Sequence, residues 1–419
     1  LYPYVYLAAR AAFATQGTEV LRAGRASGAG EWLLFRRIGL PMARPAIAAG
    51  TALALMEALN DVGAAEFLGV RTLTVSVYVT WLTRSSLGGA AQVALVLLAL
   101  VAAIVALERW GRARDAHAVG NPRPPERQAL PPLAGLAAAV ACALPVLLGF
   151  AVPAAYLVWA AWRRVAEFGL PPDLGRWIGN SALLALLGTA FALALALPLA
   201  LHARHGARSG GALLRIGMLG YALPGGVAAV GIIVALGHLD AALDGWVPFV
   251  LSGSTAAVVM AYVIRFLAIP AGGLDAAYGR IRREVDWSAQ SLGAGNARLF
   301  RRVHLPLLMP ALAAAALLTF LDAMKELPAT LLLRPLNTET LATALYAEAA
   351  RGTYEEGAVA ALALVVVGLG PILMLSRQLT ERAAPADVLR TDRTPAPAVP
   401  APQPRGAAPL PPAPFPARR

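Results

Sequence analysis

The stretch that decides the fold is residues 293–314, GAGNARLFRRVHLPLLMPALAA, because a near copy stands at residues 28–49, GAGEWLLFRRIGLPMARPAIAA. Thirteen of the twenty-two aligned positions are identical, at an offset of 265 residues. Each copy runs into a long apolar stretch. A repeat of this kind predicts two related membrane units in tandem, which face a common partner.

The composition predicts a membrane protein. Hydrophobic residues make up 58% of the 419 residues, charged residues only 14%, and the mean hydropathy is +0.62. A soluble chain of this length would carry more polar surface. The net charge of +12 comes mainly from arginines in short segments between apolar runs, which is typical of cytoplasmic loops. We therefore expect an all-α polytopic protein with the lipid bilayer as partner and no nucleic-acid binding.

Eight runs of about 20 apolar residues are long enough to cross a hydrocarbon layer as helices. The only cysteine, Cys142, excludes an intrachain disulfide and a cysteine-cluster metal site. The predicted spans are about 42–66, 88–107, 133–161, 178–201, 212–237, 249–273, 307–333 and 357–376.

Composition shifts divide the chain into four parts. We predict the end of a first unit at 1–110, a cytoplasmic linker at 111–131, a second unit of six membrane helices at 132–380, and a Pro/Ala-rich disordered tail at 381–419. The second unit has far more chain ahead of Gly293 than the first has ahead of Gly28. The repeat therefore predicts that the first unit is truncated at its N-terminus.

Arginine bias predicts the orientation. The loops at 108–127, 201–215 and 278–302 hold fourteen arginines, whereas those at 162–177, 238–249 and 333–357 hold five. The first set is therefore predicted to be cytoplasmic, and both repeated blocks fall on that side.

Each block is predicted to be a short helix, a glycine break and a second turn that ends where proline starts a membrane helix. Two such loops suit a two-fold symmetric partner, although a loop simply duplicated with its helix would also give this pattern.

At these residues the chain resembles the membrane subunits of binding-protein-dependent ABC importers. That family's cytoplasmic signature is Glu-Ala-Ala, three residues, Gly, nine residues, Ile, one residue, Leu-Pro. The Glu-Ala-Ala positions here hold Arg22-Ala23-Gly24 and Trp287-Ser288-Ala289, but Glu19 and Glu284 lie three residues upstream of each. The part from Gly to Pro fits in both copies: Gly28, Ile38, Leu40 and Pro41, then Gly293, Val303, Leu305 and Pro306.

The resemblance implies a type I ABC importer permease in the bacterial inner membrane. It implies that these loops are coupling helices inserted into an ATP-binding subunit, expected to be a homodimer, and that a periplasmic solute-binding protein docks outside. The only lysine, Lys325, is followed by Glu326, so a P-loop with Gly-Lys-Ser/Thr is absent from the sequence. We expect no enzyme activity, no catalytic residues and no cofactor on this chain, with ATP bound by the separate subunit.

A second pair of matching segments carries charges near the far end of the helix after each block. Ionisable groups within spans usually face a bundle interior or a water-filled path. We predict a translocation path or gate there, with a structural Lys325–Glu326 or cross-unit ion pair as the alternative. Arg265, in another span, is expected to extend to the cytoplasmic surface. The candidate residues are Asn60 and Asp61 in the first unit, preceded by Glu57, and Asp322, Lys325 and Glu326 in the second.

Further matches follow in the outer segments, where Thr72, Leu73 and Tyr78 recur as Thr340, Leu341 and Tyr346. Together with the paired charges, they resemble the fused two-unit permeases of ferric iron importers. That likeness implies iron as cargo, and carboxylates suit a hard cation, but two acids do not define a metal site. Permeases for thiamine or other small solutes share the architecture. A secondary carrier driven by an ion gradient is a further alternative, which the helix break at 223–226 favours.

Overall fold

The computed structural model describes residues 1–15, 18–114, 130–204, 208–243 and 250–383. Within these ranges the chain is all-α, as predicted. The first half, residues 1–114, holds α1 Tyr2–Thr15, α2 Thr18–Ala26, α3 Glu31–Leu34, α4 Leu40–Asn60, α5 Val62–Phe67, α6 Leu73–Tyr78 and α7 Leu87–Arg114. The second half begins with α8 Pro132–Val146, α9 Val152–Phe168, α10 Leu174–Arg204, α11 Arg208–Leu219, α12 Gly225–Ala242 and α13 Thr255–Phe266. It continues with α14 Ala268–Arg280, α15 Arg283–Ser291, α16 Asn296–Leu299, α17 Leu305–Met324, α18 Pro328–Leu333, α19 Leu341–Arg351 and α20 Tyr354–Ala383.

Eight helical segments in the described ranges are long and apolar enough to cross a bilayer, the number that the sequence predicts. Of the predicted linker 111–131 and tail 381–419, only 111–114, 130–131 and 381–383 lie within the described residues. The eight segments are Glu31–Asn60, Leu87–Glu108, Pro132–Phe168, Leu174–Arg204, Gly225–Ala242, Thr255–Arg280, Asn296–Met324 and Tyr354–Leu373.

Two predicted spans, 42–66 and 307–333, are wrong at their far ends because both helices break there. The first breaks after Asn60, where the Asp61 side chain accepts the N–H of Ala64 and starts the short helix α5. The second breaks after Met324, and α18 starts at Pro328. A carboxylate ahead of a helix satisfies its free N–H groups, so an acid at the end of an apolar run favours a new helix.

The predicted span 212–237 is also interrupted. The chain passes from α11 through a 3₁₀ turn at Gly220–Ala222 and restarts as α12 at Gly225. A Cβ on Gly220 would lie 1.8 Å from the carbonyl oxygen of Ile264, so only glycine permits this close crossing of two backbones. Pro224, at the N-cap of α12, lacks an N–H and favours the restart.

The main core is shared by both halves of the compact unit Leu1–Ile372. Small residues let the helices approach closely, as in other membrane bundles. For example, a Cβ on Gly188 of α10 would lie 2.8 Å from the Cβ of Tyr262 on α13. Large, fully buried side chains come from both halves and include Val62, Val77, Tyr78, Leu97, Leu184, Tyr262 and Leu333.

Candidate functional site

A cavity of about 290 Å³ lies between the two halves, where α4 and α17 break. The breaks expose side chains at helix ends, and residues from α4, α13, α17 and the turn before α12 meet there. The cavity brings together all five of the predicted path residues: Asn60, Asp61, Asp322, Lys325 and Glu326. Glu57, Tyr221 and Arg265 also line it.

Glu326 is the most deeply buried of these groups, with 3% of its surface exposed. One carboxylate oxygen lies 2.6 Å from Arg265 Nη1 and accepts the N–H of Ala329 at 2.9 Å. The other accepts the N–H of Thr330 at 2.9 Å and its hydroxyl at 2.6 Å. Glu326 therefore neutralises a buried cation and caps α18 at the same time.

The ion pairs differ from the predicted ones in two ways. Lys325 pairs with Asp322, with Nζ 3.0 Å from Oδ1, rather than with Glu326. Arg265 does not extend to the surface: it is buried, and the prediction is wrong because α13 runs through the core and Glu326 lies within its reach. A buried cation needs a partner at close range, whereas only a cation near the bilayer edge reaches water.

Asp61 and Asn60 hold the corresponding place in the first half. Asp61 is exposed to the cavity and bonds only its own helix among the described contacts. Asn60 Oδ1 accepts the N–H of Gly225 at 3.0 Å and so joins the first half to the start of α12. Asp61 and Glu326 correspond at the offset of 265, but Glu326 lies in a buried ion pair whereas Asp61 lies on the cavity surface.

The cavity carries more negative than positive side chains. Of its four carboxylates, those of Glu326 and Asp322 are paired with the two cations. Glu57 accepts the hydroxyl of Tyr221 at 3.1 Å, and Asp61 faces the cavity. Two carboxylates therefore remain without a cationic partner among the described residues, so the cavity attracts cations.

The wall beyond the cavity is also shared between the halves. Tyr78, fully buried in the first half, donates its hydroxyl hydrogen to the carbonyl of Pro328 at the start of α18. In the reciprocal position, α19 of the second half packs on α5 of the first. The hydrogen bond with Pro328 therefore joins Tyr78 to α18, the short helix that Glu326 caps.

The two repeated blocks adopt the same local conformation. Gly28 and Gly293 both have φ of +78°, a left-handed conformation that favours glycine. The N–H groups of Gly28 and Gly293 donate to the carbonyls of Arg25 and Gln290, each at 2.9 Å. After each turn come four residues of α-helix, a five-residue π-helical turn and a membrane helix with proline in its first turn.

The residues of the predicted signature lie in equivalent places in the two copies. Glu284 is exposed at the start of α15, whereas the side chain of Glu19 lies outside the described residues. Four signature positions are half-buried: Ile38, Leu40, Val303 and Leu305. Pro41 and Pro306 follow in the first turn of each membrane helix.

Apolar side chains are exposed beside both glycine turns. Trp32 is 72% exposed in the first block, and Trp287 and Leu292, just ahead of the second block, are 60% and 87% exposed. Exposed aromatic groups next to basic residues are typical of surfaces that bind another protein. The repeat gives no signal for these side chains, because Trp32 aligns with Ala297 and Trp287 with Arg22.

A partly buried anchor ties the second loop, 278–302, to the helices around it. Arg204, the last residue of α10, donates from Nη2 and Nε to Asp286 Oδ2 at 2.7 and 3.0 Å. His304 Nε2 lies 2.9 Å from the other oxygen of Asp286. Burial opposes ionisation of Asp286, but the hydrogen bonds with His304 and Arg204 outweigh it and lower the pKa of the carboxyl.

The family of binding-protein-dependent transport system inner membrane components has a model that matches residues 1–114. The Fe(3+)-transport system permease protein FbpB 2 of Haemophilus influenzae is 26% identical over 352 residues, which cover 80% of this chain and 66% of that protein. Residues 1–114 therefore belong to the membrane subunits of the binding-protein-dependent ABC importers, and most of the chain is similar to such a permease. With eight apolar helices among its described residues, this permease is a multi-pass protein of the bacterial inner membrane.

Other similarities of the permease cover less sequence or the fold alone. A putative 2-aminoethylphosphonate transport system permease protein, PhnV of Salmonella typhimurium, is 33% identical over 153 residues, covering 36% of this chain and 56% of that protein. The fold is similar to a chain of a bacterial ABC transporter involved in the import of the acidic polysaccharide alginate. There the TM-score is 0.51 with 17% identity, and the match covers 60% of this chain and 96% of that chain.

Three residues of the permease site escaped the sequence prediction in different ways. Arg265 was seen but given the wrong surroundings, because its partner is 61 residues away in the chain. Tyr221 lies in the 3₁₀ turn just ahead of the helix break that the sequence predicts at 223–226, and the sequence gave no signal for its role. At the offset of 265, Asp286 corresponds to Leu21, so the repeat gave no signal for it.

Proposed function

We propose that this permease carries its cargo through the cavity lined by Asp61 and Glu326, driven by an ATP-binding subunit that contacts the Gly28 and Gly293 loops. The cavity is the observation on which the proposal depends. It lies between the two halves, at the breaks of two equivalent helices, and is lined by charged groups. Charged groups are retained inside a membrane bundle where they face a path for a polar solute.

The matching loops support the coupling role. They share a left-handed glycine, a π-helical turn and a proline-started membrane helix, so a push on either loop acts on the base of a helix that ends at the cavity. Their exposed tryptophans offer an apolar surface for a cytoplasmic partner. Two similar loops fit a homodimeric ATP-binding subunit, and a solute-binding protein on the opposite face would complete the importer.

A cation is the cargo that the cavity favours, and ferric iron is the cation we propose. Two carboxylates without a cationic partner attract positive charge, and oxygen ligands suit a hard ion. The described residues hold no group of three or more His, Cys, Asp or Glu side chains able to bind a metal. The ion would therefore pass with weak contacts. The likeness to FbpB 2, a protein named for Fe(3+) transport, agrees with iron.

The test is uptake of radiolabelled ferric iron into proteoliposomes that hold the full-length permease with its cognate ATP-binding subunit and solute-binding protein. ATP-dependent uptake supports both the importer mechanism and the cargo. If the solute-binding protein stimulates ATP hydrolysis but iron stays outside, the coupling role stands and the proposal of ferric iron as the cargo is wrong. Uptake that follows an imposed ion gradient and ignores ATP would overturn the proposal in favour of a secondary carrier.

A further inference from the structure

The two cytoplasmic loops of this permease are held in different ways, although their sequences repeat. In the second loop, Asp286 is fixed from two sides by Arg204 and His304. At an offset of 265, the first loop has Leu21 in place of Asp286 and Gly39 in place of His304. The first loop therefore lacks the residues for the same anchor.

The first loop has an ion pair of another kind. Arg25 Nε and Nη2 donate to the two carboxylate oxygens of Glu31 at 2.8 and 3.2 Å, across the Gly28 turn. Both side chains are exposed, and such pairs contribute little because water screens them. The second loop has Gln290 and Asn296 at these positions. The exposed Arg25–Glu31 pair thus lies within the first loop, whereas the Asp286 contacts tie the second loop to the helices around it.

Arg204 does more than pair with one carboxylate. Its Nη1 also donates to the carbonyl oxygens of Tyr278 and Ile281, at 2.9 and 3.1 Å, at the end of α14. Since His304 leads into α17, one guanidinium and one carboxylate join α10, α14, α15 and α17. Charge-assisted bonds between such partly buried groups are stronger than those of an exposed pair.

We propose that Arg204 is a positioning residue for energy coupling, because it ties the second loop, which would contact the ATP-binding subunit, to three membrane helices. Movement of α15 is passed to α10, α14 and α17 together through this guanidinium. This inference rests on the proposed function, because it assumes that both loops receive the movement of an ATP-driven partner.

The experiment compares Arg204→Gln and Asp286→Asn with Arg25→Gln in the complete transporter. The control is Arg215→Gln, which removes an exposed arginine from α11, outside the anchor. The readouts are assembly with the ATP-binding subunit, ATP hydrolysis, and cargo imported per ATP hydrolysed. For Arg204→Gln and Asp286→Asn we expect retained ATP hydrolysis and a fall of about tenfold in cargo per ATP, the effect of losing one strong hydrogen bond to a charged group. Arg25→Gln should change the ratio by less than about twofold, as expected for an exposed pair.

Equal effects of Arg204→Gln and Arg25→Gln on cargo per ATP, or no effect of either, would overturn the inference. If Arg204→Gln fails to assemble, Arg204→Lys decides: lysine keeps the charge but lacks the planar fork that reaches three acceptors, so it should still lower the ratio. A lysine variant with the normal ratio also contradicts the anchor. Failure of the proposed function is recognised separately, because the unsubstituted transporter would then import nothing with ATP.

Discussion

Arg265 and Glu326 form a buried ion pair in which Nη1 lies 2.6 Å from Oε1, and the same carboxylate caps α18. The two residues come from different membrane helices, α13 and the end of α17. Because α18 closes against Tyr78 of the first half, the pair links the cavity to the contact between the halves. One carboxylate thus fixes both the wall of the cavity and the helix beyond it.

Glu326→Gln should strongly destabilise the permease. Glutamine keeps the shape of the side chain but leaves the Arg265 charge buried without its counter-charge, which costs about 3–5 kcal/mol in comparable sites. The measurement is the unfolding midpoint of the purified protein in detergent. Glu339→Gln at the edge of the outer loop, where the side chain is about one third exposed, serves as the control and should change the midpoint much less. Equal midpoints for Glu326→Gln and the unsubstituted protein would show that the pair contributes nothing.

Asp61→Asn should lower cation uptake and leave stability almost unchanged. Asparagine caps a helix about as well as aspartate, so α5 keeps its N-terminal hydrogen bond while the cavity loses one of its two unpaired negative charges. Uptake and the unfolding midpoint are measured on the same preparation. Asp61→Ala is the matched variant, which loses charge and cap together and should be less stable by about 1 kcal/mol. Normal uptake by Asp61→Asn would remove Asp61 from the path.

Gly225→Ala should disturb the cavity wall by steric contact. A Cβ there would lie 2.7 Å from the Cβ of Pro328 and 2.9 Å from both Arg265 Nη1 and Glu326 Oε1. Overpacking of this kind costs about 1–3 kcal/mol. Gly231→Ala on the same helix α12 is the control, because no heavy atom lies within 4 Å of its added Cβ and alanine favours the helix. A Gly225→Ala protein as stable as the Gly231→Ala protein would contradict this packing.

The sequence was sufficient to predict the helical class, the number of spans in the described residues and five of the residues that meet at the cavity. Hydropathy and the repeat are local or periodic signals, and the offset of 265 alone matched Asp61 with Glu326. These signals do not predict which charged side chains on distant helices form ion pairs. Whether Glu326 binds Lys325 beside it or Arg265 on another span depends on how α13 and α17 cross.

The short helices were missed for a different reason. An acid at the end of an apolar run looks the same in sequence whether it lines a path or caps the next helix, and Asp61 and Glu326 both do the latter. Proline and glycine at 223–226 indicated the break before α12, but the close approach of Gly220 to Ile264 that accompanies it is visible only in three dimensions. Hydropathy windows average over such single positions and continue the span.

Gly293→Val should impair uptake more than insertion. The residue has φ of +78° and no heavy atom within 4 Å of an added Cβ, so the strain arises from the backbone alone. A side chain in this region costs about 1–2 kcal/mol, and a β-branched one is especially disfavoured. We expect a normal amount of permease in the membrane with reduced ATP-driven uptake. Gly295→Val, with φ of −69° and equally open space, is the matched control. Equal uptake by the two variants would exclude a role for the turn's shape.

Asp286→Asn should remove a contribution to stability that depends on pH. Hydrogen bonding with His304 and Arg204, against the opposing effect of burial, lowers the pKa of Asp286 below its usual 3.8 in the folded protein. The ionised carboxylate therefore stabilises the fold at every pH above 3.8, and this contribution disappears as the pH falls through the lower, folded-state pKa. The difference in unfolding midpoint between the unsubstituted protein and Asp286→Asn should shrink as the pH falls below about 4, where the carboxylate begins to take up its proton. A difference that grows as the pH falls through this acidic range would show that protonation of Asp286 strengthens the anchor, contrary to the geometry in which the carboxylate faces an arginine.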